Sequence, residues 1–202
     1  MIGNSEAYGS VIYVVLPGQL DAPHVRLALT RLRATTNNLI LVAEAAEAER
    51  SVAALGSAAP DRIVTHDKLQ TSRAGYRAGM LSLLDGTGPI GSVMLGGGHV
   101  FGPIVGSDDF PLPEDPDWDV FAPYWHRPAL DPRLKNLTRQ ERIASLDLTI
   151  LSAAVLAHPD AFRFWDSFDP SGDHWNEFLN CDLAFSQWAS ENDFGIGYAM
   201  SA

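Results

Sequence analysis

The feature that most constrains this chain is an alternation of short β-branched runs with helix-period segments through its first hundred residues. Val11-Ile12-Tyr13-Val14-Val15-Leu16 is a continuous apolar run stopped by Pro17-Gly18, which suits a strand buried on both faces. Asp21 stands where it can cap the next segment, in which Val25, Ala28, Leu29 and Leu32 repeat at helical spacing. Residues 39–42 form a second short apolar run, followed by an Ala- and Glu-rich helix over 44–55 that Gly56 closes. Residues 62–65 form a third strand. A helix over 71–84 follows, with Ala74, Ala78 and Leu81 on one side, and a fourth strand over 92–95 runs into Gly96-Gly97-Gly98.

Strands alternating with helices across short links predict an α/β fold with a mostly parallel, doubly wound sheet. Right-handed crossovers then place helices on both faces, with strand order reversing near the first strand. Ligands of such sheets collect at the carboxyl ends of the strands. Here those ends are Pro17-Gly18, Glu44, His66-Asp67 and the run from Gly96 to His99. The 202 residues suit one domain, 1–202, with a regular half to about residue 104 and a less regular half from about 105. In that second half, 106–119 reads as a proline-rich acidic loop, 120–121 and 146–151 as strands, and 182–190 as a helix. Pro159 opens a short aromatic helix, and 195–200 is a last extended piece.

Charge separates the halves. Residues 1–104 carry 8 acids and 8 bases, whereas 105–202 carry 17 acids and 6 bases. A surface that neutralises nucleic-acid phosphates needs a basic face, so nucleic acid is not an expected partner. No apolar run approaches the roughly 20 residues that span a bilayer, the N-terminus lacks the basic start of a leader, and Cys181 is the single cysteine. The cytoplasm is the expected compartment.

Neither a G-x-x-x-x-G-K-[ST] phosphate loop nor a G-x-S-x-G nucleophile elbow is present. The three glycines after the fourth strand bring backbone close either to a ligand or to another chain segment. The Asp115-x-Asp117-x-Asp119 run lacks the Gly and Glu of a calcium loop, since Val120 and His126 stand at those positions, and it reads as a solvated loop. The histidines show no i, i+4 pair, so no zinc site can be assembled from them. His66 and His99 each follow a strand and stand at the ligand edge, although a lone loop histidine is also a common structural element.

Six segments, in order, resemble motifs of the rhamnan-synthesis F-type proteins. Residues 62–67 with Gly75-Tyr76-Arg77-Ala78-Gly79 are similar to "R-E-N-x-G-x-D-F-G-A-Y-K-x-G". Residues 92–103 are similar to "L-L-L-N-D-S-x-Y-G-P", and Asp119-Val120-Phe121-Ala122 to "D-F-W-G". Arg142-Ile143-Ala144-Ser145 resembles "H-I-Q-S", Ala161-Phe162-Arg163-Phe164-Trp165 resembles "A-F-x-x-F-W", and residues 182–187 resemble "E-x-x-L-S-Q".

The resemblance implies a glycosyltransferase of the GT-A type in cell-surface polysaccharide assembly, with a nucleotide-sugar donor and a saccharide acceptor. It implies Asp182 as a catalytic base, and His99, from its place after the fourth strand, is the second catalytic candidate. Pro17, His66, Arg73, Tyr76, Arg77, Gly97 and Gly98 would bind the nucleotide-sugar, and Asp119, Tyr124 and Ser145 the acceptor.

Departures accompany it. Ser72 and Arg73 stand where the family has Asp-Phe, and Gly97-Gly98-His99 where it has Asn-Asp-Ser. A bound cation would offset charge on departing phosphates. With its acidic positions gone no divalent metal is expected, and Arg73 and Arg77 are the candidate substitutes, or else two residues of a solvated helix face. Asp182 is equally explained as a helix N-cap. Three readings follow: a metal-independent sugar transferase, a non-catalytic domain that binds saccharide or a partner, and a hydrolase using His99 with an aspartate. The aromatic residues Trp118, Phe121, Tyr124, Trp125, Trp165 and Trp175 either line a saccharide groove or build core and interface.

Overall fold

The computed structural model describes residues 9–86, 90–98, 118–128, 133–134, 138, 140–168 and 174–198. Its first strands are β1 (Ser10–Val15), β2 (Leu39–Ala43), β3 (Arg62–Thr65) and β4 (Val93–Gly97), interleaved with helices α1 (Pro23–Arg33), α2 (Ala45–Leu55) and α3 (Ser72–Ser82). The second half adds β5 (Val120–Ala122), β6 (Trp125–His126), β7 (Ile143–Ala144), β8 (Ile150–Leu151) and β9 (Ile196–Tyr198). Its helices are α4 (Ala153–Ala157), α5 (Ala161–Ser167), α6 (His174–Phe178) and α7 (Ala184–Glu191), with a π-helical turn at Leu179–Leu183 joining the last two.

Seven strands form one sheet in the order β3-β2-β1-β4-β8-β5-β9, and β6 with β7 forms a separate ribbon. β1 pairs in parallel with both β2 and β4, so strand order reverses at the first strand, as the alternation predicts. β8 runs antiparallel to its two neighbours, and β5 with β9 returns to the parallel direction. The sheet is therefore mostly parallel and flanked by helices on both faces.

Alternation along β1 assigns its side chains to two cores. Val11, Tyr13 and Val15 pack with Val25, Leu29 and Leu32 of α1, while Ile12 and Val14 pack with Tyr76 and Met80 of α3, Trp165 of α5 and Phe185 of α7. The inward face of α3 is Gly75, Tyr76, Gly79 and Met80, whereas Ala74, Ala78 and Leu81 are only partly buried at its margin. Two glycines let α3 approach the sheet closely. A Cβ on Gly75 would fall 2.5 Å from a Val14 methyl, and one on Gly79 2.4 Å from an Ile12 methyl.

Local differences from the sequence expectation have physical causes. Ala22, not Asp21, stands at the N-cap of α1, because Pro23 at the first helical position presets the helical backbone there. Asp21 instead pairs with Arg26 and Arg50. Only Ile150 and Leu151 of the 146–151 run form a strand. The residues before them make a turn with Leu148 at φ +58°, because Ser145, Asp147 and Thr149 offer side-chain partners that compete with ladder bonds.

Candidate functional site

At the carboxyl edge of the parallel strands, α3 begins with Thr71 as its cap, the hydroxyl accepting from the Ala74 amide. This start projects Arg73 toward the second half of the chain. Arg73 Nη2 and Nε donate to the two oxygens of Asp182 at 2.9 and 3.4 Å. Nη1 donates to Asp147 Oδ1 at 3.0 Å and to the Ser72 hydroxyl at 2.9 Å. The buried Tyr76, one turn further on, donates to the same Asp147 oxygen at 3.1 Å. Ser145 Oγ donates to Asp147 Oδ2 at 3.3 Å, and the Leu146 amide donates to Asp182 Oδ1 at 3.3 Å.

Asp182 does not cap a helix. It lies inside the π-helical turn between α6 and α7, and such turns are frequent at functional sites because they re-aim a side chain within a continuous helix. Its side chain is 2% exposed, against 12% for Arg73 and 15% for Asp147. Burial drives the Asp182 carboxyl above the ordinary carboxylate range, and the charge and hydrogen bonds of Arg73 offset only part of this. Burial opposes the charge of Arg73, yet Asp182 and then Asp147 hold its proton more firmly than water does. Burial, followed by the charge of Asp147, drives the Tyr76 hydroxyl well above its ordinary value.

This cluster forms the floor of a cleft of about 410 Å³. Its walls are Trp175 and Phe178, stacked with centroids 5.7 Å apart, together with His126, Arg133, Leu134 and Glu177. His126 meets Phe178 edge-on at 4.8 Å, and the Arg133 guanidinium lies 3.9 Å from the Trp175 ring centroid. Aromatic and aliphatic surface from Leu134, Trp175 and Phe178 beside converging polar and charged groups is a combination found in small-molecule sites. Among the described residues no three His, Cys, Asp or Glu side chains gather as a metal site, and no helix is long and apolar enough to cross a membrane.

Of the residues singled out from sequence, the structure brings Arg73, Tyr76, Ser145 and Asp182 into one cluster. The others stand apart. Pro17 is exposed in the turn after β1. His66 Nδ1 accepts from the Lys68 amide at 3.3 Å. Gly97 ends β4, and the next residue, Gly98, is tied through its amide to Val14 and through its carbonyl to His24 Nε2. Arg77 donates to Asp166 on α5, away from the cleft floor. Asp119 accepts from the Gly195 amide and so fastens β5 to β9, and Tyr124 is exposed. His99, Asp115 and Asp117 lie outside the described residues. Of the aromatic set, Trp175 lines the cleft, while Trp165 and Phe121 are core.

Sequence reasoning missed Asp147, His126, Arg133, Glu177 and Phe178. One signal pointed to the cluster: an arginine on the helix that carries the buried Gly75-Tyr76 face needs acidic partners from elsewhere in the chain.

No family model matches the chain, and no curated protein matches it in sequence. Among solved structures it is similar to a crystal structure of 4-diphosphocytidyl-2C-methyl-D-erythritol synthase, at 10% identity and a TM-score of 0.53, over 96% of this chain and 90% of that one. The likeness establishes the fold class: a mixed, mostly parallel sheet flanked by helices, Rossmann-like and GT-A-like.

Proposed function

We propose that this chain is a glycosyltransferase-like protein that takes a nucleotide-sugar donor at the carboxyl edge of β1–β4 and a saccharide acceptor in the cleft, with no divalent metal. The observation that carries the reading is the Arg73–Asp147–Asp182 cluster, opening into a cleft with aromatic residues on its wall beside the strand ends where sheets of this class bind ligands. The structural neighbour supports it, being named for a product with a diphosphocytidyl group. The motif resemblance supports the placement in cell-surface polysaccharide synthesis. In this reading the exposed turn at Pro17-Gly18 borders the nucleotide and Ser145 faces the acceptor, whereas the Gly98 backbone is taken up by Val14 and His24.

A non-catalytic saccharide- or partner-binding domain is the second reading, and one observation favours it. Both arginines suited to replace a cation are held by carboxylates, Arg73 by Asp147 and Asp182 and Arg77 by Asp166. Thermal-shift screening against nucleotide diphosphates and their sugars, with and without manganese, tests the donor site, since a ligand of the native state raises its stability by mass action. A nucleotide-sugar at 100 times its dissociation constant adds about 2.7 kcal/mol, and manganese is expected to add nothing. Stabilisation that requires manganese refutes the metal-independent reading. No response to any nucleotide-sugar refutes the donor site.

A further inference from the structure

We infer that Asp147, rather than Asp182, is the group that removes the proton from the acceptor hydroxyl, with Arg73 and Tyr76 as positioning residues. The inference rests on the transferase reading above. Asp182 is almost fully buried, and both its oxygens are engaged by Arg73, with the Leu146 amide as a further donor. To accept a proton from a substrate it would have to abandon a bidentate bond and leave a buried guanidinium uncovered, which the low dielectric of the site opposes.

Asp147 is placed differently. It belongs to the cleft lining and is the more exposed of the two carboxylates. Two donors, Arg73 Nη1 and Tyr76 Oη, converge on its Oδ1. They fix the plane of the carboxylate, and Oδ2 accepts from the Ser145 hydroxyl over a long 3.3 Å. A serine hydroxyl rotates freely, so Ser145 can yield its place to an acceptor O–H.

The turn that carries Asp147 is held at both ends. The Thr149 amide donates to Leu146 O and the Asp147 amide to Ser145 Oγ. The Leu95 amide donates to Thr149 O at 2.8 Å, fastening the turn to β4 two residues before Gly97. Asp147 is thereby fixed beside the strand end assigned to the donor, and a general base must stand within reach of both the acceptor and the reacting carbon.

The step balances as follows. The acceptor O–H proton passes to Asp147 Oδ2, and the acceptor oxygen forms a bond to the anomeric carbon of the donor sugar. The bond from that carbon to the phosphate oxygen breaks, and the nucleoside diphosphate departs with the electron pair. Asp147 then releases the proton to solvent through the open cleft.

The test measures nucleoside diphosphate released by the whole chain from a panel of UDP-, dTDP- and GDP-sugars, with water and methyl glycosides as acceptors, alongside donor affinity by calorimetry. Asp147→Asn is expected to lower turnover by about 10²–10⁴-fold, leave donor affinity within about twofold, and remove the acidic limb of the pH profile. Sodium formate is expected to restore part of the turnover of Asp147→Ala, a response that a purely structural carboxylate would not give. Tyr76→Phe is expected to shift the acidic limb and lower kcat with KM for the donor unchanged.

Turnover by Asp147→Asn within twofold of wild type overturns the inference. So does loss of the acidic limb in Asp182→Asn while Asp147→Asn keeps it. If Asp147→Asn does not fold, formate rescue of Asp147→Ala or Asp147→Ser decides, and its absence in both overturns the assignment. A wild type that binds donor yet releases no diphosphate overturns it too, leaving the binding-domain reading. A wild type that binds no nucleotide-sugar removes the transferase reading itself.

Discussion

Two ion clusters, one within the first half and one where the two halves meet, use the same residue types in opposite settings. Near α1 and α2, Asp21 pairs with Arg26 and Arg50, and Arg50 also reaches Glu47. Arg50 and Asp21 there are 53% and 57% exposed. At the junction of the two halves, Arg73 joins Asp147 and Asp182, whose side chains are mostly buried at the floor of the cleft. Exposed pairs contribute about 0–1 kcal/mol each, whereas removing one partner of a buried pair costs about 3–5 kcal/mol. The first region can lose its charges and keep its fold, because apolar layers on both sides of β1 hold it. The second has shorter strands, and although Leu151, Val155, Trp165 and Phe185 join the core shared with β1, its contact with the start of α3 runs through buried ions. Burying charge is costly there, and these ions line the cleft.

The largest break in this contrast is expected from Asp182→Ala. It leaves the Arg73 guanidinium buried with half its partners gone, and stability should fall by about 3–5 kcal/mol in urea titration. That corresponds to a Tm lower by roughly 6–20 °C for a chain of this size. A loss below about 1 kcal/mol would place this cluster with the exposed one.

Packing in the first region sets the next effect. Gly79→Ala places a methyl against Ile12, a stiff β-branched residue on β1. The variant is expected to lose about 1–3 kcal/mol, although alanine is the better helix former. Equal or greater stability would show that α3 can move off the sheet.

Tyr13 gives a pH-dependent effect. Its buried hydroxyl has no partner among the described residues, and burial raises its pKa above the ordinary value near 10. Above about pH 10 the unfolded chain ionises this group while the native chain does not. Its contribution is therefore fully present below that pH and declines by about 1.4 kcal/mol per pH unit above it. Tyr13→Phe should be as stable as wild type at pH 7 and show a shallower alkaline decline in stability. The same alkaline slope in both proteins would contradict this.

The smallest effect is expected at the exposed Arg26–Asp21 pair, where Arg26→Ala should change stability by less than about 1 kcal/mol, and by less still in 1 M salt. A larger, salt-insensitive loss would mean that this cluster also organises the fold.

What the sequence determined by itself is the architecture of the first half. The runs at β1–β4, the helices between them and the reversal of order at β1 all follow from period and punctuation, because each depends on residues within a few positions of one another. Gly56 as the end of α2 and the 62–65 strand were legible for the same reason. The candidate site was legible only in fragments. Arg73, Tyr76, Ser145 and Asp182 could each be named, but nothing local says that they meet. Asp147 read as one residue of a strand, and Asp182 as either a catalytic group or a helix cap. Only the tertiary structure decides both, because the bonds that define them join residues 71 to 109 positions apart. A guanidinium is buried there only where the packing of α3 against the sheet and the π-helical turn deliver two carboxylates to it together. Periodicity carries no information about such a meeting, whereas the burial of the ions makes it one of the most energetically constrained places in the molecule.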